Sequence, residues 1–306
     1  MNNETRTALI TTIVQNEALR PLSRLARLKR DPFGALPYYI LAAISHVKPF
    51  KIRFRTLWNT SMTCYLPEGN TFYYYGYCEA NLTNFYIRYV TGGMTVIDVG
   101  AHVGIYSMLS SELVGPAGHV YSFEPTPWTF RILTENTEKL ANVTITNQAV
   151  SAEAKTLTFA DYGPGYGAFN SAHEAGATGI TRTPTMVEVG SISLDAFCKE
   201  RKITPDIIKI DAEGFEPEVL RGSVQLLTNT SRPRPLVSIE VAGGSVWAET
   251  SREAFSLLSD YGYGPFEIAD TGLLTPHIYL ESYDYDNLLF IPTERITEII
   301  TNIEKI

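Results

Sequence analysis

The sequence predicts an α/β protein with a mostly parallel sheet that is covered by helices on both faces. From Thr95 onward, strand-like runs alternate with stretches of helical composition, which is the pattern of repeated βαβ units. The segment from Phe266 to Pro292 is strand-like without an intervening helix, and it predicts an antiparallel hairpin that closes the sheet. With 306 residues, of which 44% are hydrophobic and 19% charged, the chain can form a sizeable core.

The elements of the predicted sheet domain follow one another at regular intervals. Its predicted strands are Thr95–Gly100, His119–Pro125, Val143–Val150, Asp206–Asp211, Pro235–Val241 and Asn287–Pro292. Its predicted helices are Ile105–Val114, Trp128–Leu140, Phe215–Leu227 and Ser251–Tyr261. Residues 161–185 interrupt this alternation, and a glycine-containing loop of that length is typical of a functional or mobile segment.

The N-terminal part differs from the rest. We expect residues 1–60 to form a helical N-terminal extension, serving as a dimer interface or a lid, and residues 61–306 to form the main domain. The helices of the extension are expected to break at Pro21, Pro32 and Pro37. Residues 50–78 are strand-rich in composition, and the aromatic run Thr71–Cys78 is expected to pack as an edge strand.

The net charge of −8 is unevenly distributed. Residues 1–60 carry ten lysines and arginines against three acidic residues, whereas residues 61–306 carry fifteen against thirty. The basic extension predicts a face that is solvated or docks on an acidic body, of the same chain or of a second subunit in a homodimer; peripheral membrane contact is the alternative. The run Ala35–Val47 is too short to span a bilayer, and the acidic remainder disfavours a nucleic-acid partner.

The spacing of the three cysteines bears on the redox environment of the protein. Cys64, Cys78 and Cys198 are isolated and odd in number, which argues against a disulfide framework or a cysteine zinc site. Such thiols fit a reducing environment, and the N-terminus lacks the pattern of a signal peptide. We therefore predict a cytoplasmic protein.

The run "VIDVGAHVG" predicts a ligand-binding turn after the first strand of the main domain. Asp98 ends the strand, and Gly100 and Gly104 allow the backbone to approach a ligand closely. A dinucleotide fingerprint needs G-x-G-x-x-G, but His102 stands where the middle glycine would be. The spacing fits S-adenosylmethionine (SAM) better, with Asp98 facing the ammonium group of that cofactor.

Two further strand ends support an adenosine cofactor. Glu124 follows the second strand, where a carboxylate can accept hydrogen bonds from both ribose hydroxyls. Asn147, Gln148 and Ala149 fall at the end of the third strand, where an adenine would lie. NAD-binding and SAM-binding proteins both use an acid at the position of Glu124, so this residue does not choose between them.

The stretch "IIKIDAEG" places Lys209, Asp211 and Glu213 two residues apart. In a strand these side chains would share one face, and burying three unpaired charges would be costly. The strand is therefore exposed, or its end opens into a polar site.

Taken together, "VIDVGAHVGIYS", "YSFEP", "NQAVS", "SLDAFC", "IIKIDAEGFEPEVLRG" and "LVSIEV" resemble the FkbM family of SAM-dependent methyltransferases. The resemblance covers about Tyr75 to Pro292, and it departs from the family at His102, where asparagine is more common. It implies a Rossmann-like class I methyltransferase domain, with a seven-stranded sheet of order 3-2-1-4-5-7-6 whose last strand is antiparallel. It also implies O-methylation of a sugar or natural product.

With this resemblance, the candidate site residues fall into two groups. The residues expected to bind SAM are Asp98, Gly100, Ala101, His102, Gly104, Glu124, Asn147, Gln148, Ala149 and Asp211. The residues expected to act in catalysis are Asp211, Glu213, Lys209, His102 and Glu240. Asp211 is the leading candidate for the base, since an aliphatic hydroxyl needs a nearby acceptor for its proton.

Several alternatives remain open at this point. Asp211, Glu213 and Glu240 could together bind Mg²⁺ or Ca²⁺, although no spacing demands it and we predict chemistry without a metal. The chain could methylate a nitrogen or a carboxylate instead of a hydroxyl, or bind SAM without catalysis. An NAD-dependent dehydrogenase or epimerase is the third alternative, which the missing middle glycine disfavours.

Overall fold

The structure is a computed structural model, which describes residues 1–172, 182–241, 247–280, 283 and 286–305. The first part of the chain contains five helices and one hairpin. In chain order these elements are α1 (Asn3–Glu17), α2 (Arg24–Arg30), α3 (Pro32–Val47), β1 (Phe50–Arg55), β2 (Ser61–Leu66), α4 (Asn70–Tyr75) and α5 (Ala80–Tyr89). Strands β1 and β2 pair antiparallel with each other.

The remaining elements build two sheets and their covering helices. The strands are β3 (Thr95–Val99), β4 (His119–Phe123), β5 (Val143–Thr146), β6 (Ala149–Val150), β7 (Thr156–Asp161), β8 (Thr185–Ile192), β9 (Ile207–Ile210), β10 (Leu236–Val241), β11 (Tyr263–Ile268), β12 (Leu274–Pro276) and β13 (Asp286–Pro292). The helices are α6 (Ile105–Val114), α7 (Pro127–Thr137), α8 (Leu194–Arg201), α9 (Glu216–Arg221), α10 (Val224–Thr228), α11 (Trp247–Asp260) and α12 (Ile296–Ile303).

The main sheet confirms the predicted α/β class. Its order is β12-β11-β13-β10-β9-β3-β4-β5, with parallel pairing from β10 through β5 and antiparallel pairing from β10 through β12. The inner strands follow the expected order, but the described sheet has eight strands rather than seven. The additional strand is β12, which returns from β11 as a short antiparallel edge.

Helices cover both faces of this sheet, so its strands are apolar on both sides. Val96 and Ile97 are neighbours on β3, yet they are buried in two separate cores because successive side chains of a strand point to opposite faces. One core includes Phe85 of α5 and Leu109 of α6, and the other includes Phe197 of α8. This double coverage leaves the carboxyl ends of the parallel strands as the open edge.

The N-terminal segment is joined closely to the main domain. Ile13 of α1 is fully buried in the same core as Phe85, and Arg6 donates a hydrogen bond to the backbone oxygen of Ile87. The boundary that we expected at residue 60 lies in the turn of the β1–β2 hairpin. Among the described helices, none combines the length and the apolar character that crossing a bilayer requires.

Two expectations for this segment are wrong. The run Thr71–Cys78 is not an edge strand, because residues 70–75 form α4, which ends at Gly76 in the left-handed region (φ +75°). Packing of Tyr74 against Tyr38 of α3, with ring centroids 4.6 Å apart, outweighs the strand preference of the tyrosines. Pro37 does not break its helix but lies inside α3, where it removes a single hydrogen bond in the exposed first turns.

Two predicted elements of the main domain divide in the structure. The third strand separates into β5 and β6, and β6 belongs to a second sheet of order β6-β8-β7 that flanks the main one. The helix expected over Phe215–Leu227 separates into α9 and α10 at Gly222, where a β-carbon would lie 2.1 Å from the Ser151 carbonyl oxygen. Strands β7 and β8 enclose the long loop, of which residues 173–181, including His173, lie outside the described residues.

Candidate functional site

A cavity of about 230 Å³ lies at the carboxyl ends of β3, β4 and β9. This is the edge at which ligands bind in open α/β sheets. Most of the predicted residues line it: Asp98, Gly100, Ala101, His102, Glu124, Gln148, Ala149, Lys209, Asp211 and Glu213. Gly104 and Asn147 lie behind this wall, and Glu240 is a neighbour of the acids within it.

Asp98, the penultimate residue of β3, is buried at the cavity. Ser107 Oγ donates a hydrogen bond of 2.6 Å to Asp98 Oδ2, and Ser107 in turn contacts the hydroxyl of Ser122 at 2.8 Å. Asp98 Oδ1 has no hydrogen-bond partner among the described residues. Burial raises the pKa of Asp98, and the nearby ammonium of Lys209 opposes this effect. A cationic ligand in the cavity would satisfy the free oxygen.

The two glycines of the first turn are positions where a side chain would collide with other parts of the protein. Gly100 (φ +73°) and Gly104 (φ +95°) both adopt left-handed conformations. A β-carbon on Gly104 would lie 2.7 Å from Leu133 Cδ1, and one on Gly100 would lie 1.7 Å from the backbone oxygen of Asp211. Their absent side chains therefore make room for other parts of the protein, which lets the β3 and β9 turns pack directly together.

His102 forms a partly buried ion pair that the sequence did not reveal. Its Nε2 contacts Glu68 Oε1. Burial would lower the pKa of His102, but the Glu68 carboxylate outweighs it and raises this pKa to about 9. Burial likewise opposes ionisation of Glu68, yet His102 holds the pKa of Glu68 below its usual value. Glu68 also accepts a hydrogen bond of 2.5 Å from the backbone N–H of Ala168, so the pair joins the N-terminal segment to the long loop.

Glu124 is buried at the end of β4 with donors on both carboxylate oxygens. Thr126 donates to Oε1 through its backbone N–H (3.0 Å) and its hydroxyl (2.6 Å), and the backbone N–H of His102 donates to Oε2 at 3.0 Å. Burial raises the pKa of Glu124, and these donors oppose that effect. Because each carboxylate oxygen can accept two hydrogen bonds, Oε2 retains capacity for a ligand hydroxyl.

The end of the third strand has two roles. The Asn147 side-chain amide donates to the backbone oxygens of Glu124 and Pro125 at 2.9 and 2.8 Å. Asn147 therefore holds the β4 turn in place rather than lining the cavity. Gln148 and Ala149 do line it, next to Phe123 and Val150.

Lys209 and Asp211 form a hydrogen-bonded ion pair at the end of β9. Lys209 Nζ donates to Asp211 Oδ2 at 2.8 Å, and the side chains are 4% and 25% exposed, respectively. Burial would lower the pKa of Lys209, but the carboxylates of Asp211, Asp98 and Glu79 outweigh it, so this pKa lies above its usual value. Two of the three charged residues that the alternation brought together, Lys209 and Asp211, are thus paired at the cavity wall.

Glu213 lies in the turn beyond β9, in the left-handed region (φ 49°). Burial, followed by the charges of Asp211 and Glu216, raises the pKa of Glu213 to about 9. Glu216 Oε1 accepts hydrogen bonds from the backbone N–H groups of Ala212 and Gly214 at 2.9 and 3.2 Å, which holds this turn. The raised pKa favours the protonated form of Glu213, whose carboxyl proton could be donated to a ligand.

The three acids considered for a metal do lie together. Asp211, Glu213 and Glu240 each contribute an oxygen within 4.8 Å of the others. The group is partly exposed, and an acidic cluster of this kind does not by itself identify a metal site.

Sequence reasoning missed several residues that line the cavity. They are Glu68, Phe72, Cys78, Glu79, Tyr106, Phe159 and Asn170. Glu79 accepts a hydrogen bond of 2.5 Å from Asn287 on β13, and burial raises the pKa of Glu79 while Lys209 opposes this. Tyr106 lies two residues after Gly104, in the first turn of α6, so its position could have been inferred. No sequence signal marks Glu68, which precedes the stretch that resembles the family.

A family model described as the methyltransferase FkbM domain matches residues 98–265, which is more than half of the chain. A hexuronic acid methyltransferase, AglP, from Haloferax volcanii is 28% identical over 149 residues, covering 48% of this chain and 55% of the relative. A protein-L-isoaspartate O-methyltransferase from Methanothrix thermoacetophila is 43% identical over 47 residues, covering 15% of this chain and 22% of the relative. The chain therefore matches about half of the first relative's length and less of the second.

Solved structures resemble the chain more distantly. A methyltransferase FkbM from Methylobacillus flagellatus is 13% identical, with a TM-score of 0.40, over 87% of this chain and 60% of that one. An Aeropyrum pernix fibrillarin with natively bound S-adenosyl-L-methionine is 13% identical, with a TM-score of 0.39, over 69% and 76% of the two chains.

Proposed function

This chain belongs to the FkbM methyltransferase family, and we propose that it is a SAM-dependent O-methyltransferase that acts on a hydroxyl of a sugar or another small natural product. One observation carries the proposal. The free oxygen of Asp98 and the carboxylate of Glu124 line the same cavity as the Lys209–Asp211 pair and Glu213. The cavity thus contains groups suited to a cofactor and groups suited to an acceptor hydroxyl.

The residues at the ends of β3, β4 and β5 fit SAM. Asp98 Oδ1, which is buried and lacks a partner among the described residues, would accept a hydrogen bond from the cofactor ammonium. Glu124 Oε2 would accept one from a ribose hydroxyl, and the apolar residues Phe123 and Val150 offer walls for an adenine ring. His102 contributes through its backbone, which donates to Glu124, while its side chain is engaged by Glu68.

Asp211 is the proposed base. SAM, when bound, supplies an electrophilic methyl group for transfer to a nucleophilic oxygen. Asp211 would accept the hydrogen bond, and then the proton, of the acceptor hydroxyl. Lys209 orients Asp211 through the 2.8 Å hydrogen bond, so Lys209 acts as a positioning residue.

Glu213 completes the proposed acceptor site. With a pKa of about 9, its carboxyl group carries a proton at neutral pH and can donate a hydrogen bond to the acceptor. Glu240 has a carboxylate oxygen within 4.8 Å of oxygens of Asp211 and Glu213, so it borders this acceptor site. The site therefore contains both an acceptor and a donor of hydrogen bonds, which suits a hydroxyl.

A hydroxyl acceptor needs a base such as Asp211, because an aliphatic hydroxyl is a very weak acid, whereas a carboxylate acceptor is already ionised and needs none. The relative from H. volcanii is named as a methyltransferase of a hexuronic acid, which supports a sugar as the substrate class.

Two measurements test this proposal. Calorimetric titration should detect SAM binding and no binding of NAD⁺; absence of SAM binding would refute the cofactor assignment. With an accepted substrate, Asp211→Asn should lower kcat at least 100-fold while the Kd for SAM changes less than tenfold, and Asp260→Asn, at an exposed position, should change neither. Unchanged kcat in Asp211→Asn would remove Asp211 as the base, and NMR of the product would identify the methylated atom.

A further inference from the structure

Helix α3 turns an apolar face toward solvent. One side of this helix exposes seven residues at successive turns, and we refer to them as the α3 face: Phe33, Leu36, Pro37, Ile40, Ala43, Ile44 and Val47. Phe33 and Val47, at its two ends, are 91% and 89% exposed. The spacing of three and four residues places all seven on one stripe. Residues 32–47 contain no lysine, arginine, aspartate or glutamate.

The opposite side of α3 is packed, so the orientation of the helix is defined. Ala35 and Ser45 are buried on that side, and the ring of Tyr38 packs against the ring of Tyr74 of α4 in a tilted geometry. A helix on the surface of a protein in water normally directs its apolar side inward. Here the apolar side points outward over about 21 Å, at about 1.5 Å per residue. Leu25, on the preceding helix α2, is a further exposed apolar side chain, with 64% of its surface exposed.

Basic residues flank the α3 face at both ends. Arg24, Lys29 and Arg30 are exposed before the helix, and Lys48 is exposed after it. The one acidic residue between Arg30 and α3 is Asp31, whose side chain caps the helix by accepting a hydrogen bond of 2.9 Å from the backbone N–H of Gly34. Residues 1–60 as a whole carry ten basic and three acidic residues.

This charge arrangement disfavours a second copy of the chain as the occupant. Pairing two α3 faces, in either direction, would place basic ends of one helix against basic ends of the other. Seven residues on each side are also fewer than the roughly 20–30 of a standard protein interface. An anionic surface, in contrast, complements the basic flanks while the stripe between them is buried.

We propose that the α3 face docks on a membrane surface that contains anionic lipids. The helix lies in the plane of the interface, its apolar stripe enters the boundary between headgroups and acyl chains, and the flanking lysines and arginines contact lipid phosphates. The docked segment connects to the cavity, because Glu68 and Phe72 line that cavity and belong to the region around α4 on which α3 packs. The inference does not depend on the proposed function.

Flotation of the full-length protein with vesicles tests this inference. We expect the protein to float with phosphatidylcholine vesicles containing phosphatidylglycerol, and at least tenfold less with phosphatidylcholine alone or in high salt. Ile40→Glu/Ile44→Glu and Arg24→Glu/Lys29→Glu/Arg30→Glu should each lower binding at least tenfold. Met186→Glu/Ile278→Glu is the matched control, because Met186 and Ile278 are 61% and 83% exposed elsewhere on the surface.

Three results would overturn the inference. The first is failure of the unaltered protein to float, and the second is equal flotation of the Ile40→Glu/Ile44→Glu variant. The third is a dimer in analytical ultracentrifugation that this variant converts to a monomer without any flotation, which would make the face a subunit interface. All substituted positions are exposed, and unchanged thermal unfolding of the variants verifies that they fold.

Discussion

The backbone oxygen of Asp211 lies 1.7 Å from the position that a β-carbon on Gly100 would occupy. The turn after β3, which carries the proposed cofactor residues, thus packs directly on the turn after β9, which carries the proposed base. A shift of either turn would move both parts of the site. This contact explains why a glycine is required at position 100.

Gly100→Ala should therefore destabilise the protein by more than the strain of a positive φ angle alone would. Gly93→Ala is a matched control, because Gly93 also has a positive φ (+90°) but has no atoms within 4 Å of the added β-carbon. Strain should cost about 1–2 kcal/mol at both positions, and the collision should add about 2 kcal/mol at Gly100. Urea unfolding of both variants measures this difference in the free energy of unfolding. Equal losses would show that the backbone at Asp211 moves aside at little cost.

The Glu68–His102 pair should give the stability a specific pH dependence. The pKa of His102 is raised from 6.5 to about 9, so its stabilising contribution is complete below pH 6.5 and is lost as the pH rises through 9. The pKa of Glu68 is lowered from 4.5, so its contribution is present above pH 4.5 and is lost in more acidic solution. The pair therefore stabilises the protein between these limits.

Glu68→Gln should lower the free energy of unfolding by about 3 kcal/mol near pH 7, and by much less at pH 10. Glu135→Gln is the control, because Glu135 pairs with Lys51 and Arg53 at the surface, where ion pairs contribute about 0–1 kcal/mol. Thermal unfolding from pH 4 to pH 10 provides the measurement. A constant difference between Glu68→Gln and the unaltered protein would contradict the assigned pKa of His102.

Glu213, unlike the Glu68–His102 pair, should lower the stability of the folded protein at neutral pH. Its pKa is raised from 4.5 to about 9, so the folded protein retains a proton that the unfolded chain releases, and stability falls as the pH rises from 4.5 to 9. Glu213→Gln removes this penalty, so the variant should gain stability relative to the unaltered protein across that range. Glu267→Gln, at an exposed position, is the control and should show no such gain in stability with pH. If Glu213→Gln also showed no gain, the raised pKa of Glu213 would be contradicted.

The same variant bears on catalysis. Because glutamine resembles the protonated form of glutamate, Glu213→Gln should keep kcat at pH 7 within a few-fold of the original value. A 100-fold loss would identify Glu213, rather than Asp211, as the proton acceptor.

Glu124→Gln should weaken cofactor binding without unfolding the protein. A hydrogen bond to a charged group contributes about 1.5–3 kcal/mol, so the Kd for SAM should rise roughly 10- to 100-fold in calorimetry. Asn147→Ala is the comparison, because Asn147 holds the backbone behind Glu124 and lies outside the cavity wall. Asn147→Ala should lower the stability of the protein and change the affinity for SAM less than Glu124→Gln does. The reverse pattern would mean that Asn147 binds SAM and that Glu124 holds the backbone.

Chelation should leave SAM binding and turnover unchanged. Lys209 already pairs with Asp211, and the raised pKa of Glu213 favours its protonated form, so these two acids offer little net charge to a divalent cation. Assays with EDTA, and after addition of Mg²⁺ or Ca²⁺, measure this directly. Loss of turnover in EDTA and its restoration by one ion would place a metal at Asp211, Glu213 and Glu240.

The residues at the strand ends were predictable because they follow from local pattern. Alternation of strand and helix predicts a parallel sheet, and the carboxyl ends of neighbouring parallel strands meet at one edge. Asp98, Glu124 and Asp211 therefore had to lie near one another. The hydrophobic periodicity that identifies the strands also identifies their ends, which is why these acids could be assigned from the order of the residues.

The partners and protonation states of these residues depend on contacts between distant segments. Nothing near His102 in the chain indicates Glu68, yet this carboxylate sets the charge of the imidazole, because Coulomb interactions and burial depend on distance in space. The helical form of α4 and the outward apolar face of α3 likewise arise from packing between segments, which overrides local preference. Pattern in the chain accounts for the sheet and its functional edge, and three-dimensional packing accounts for the charges at that edge.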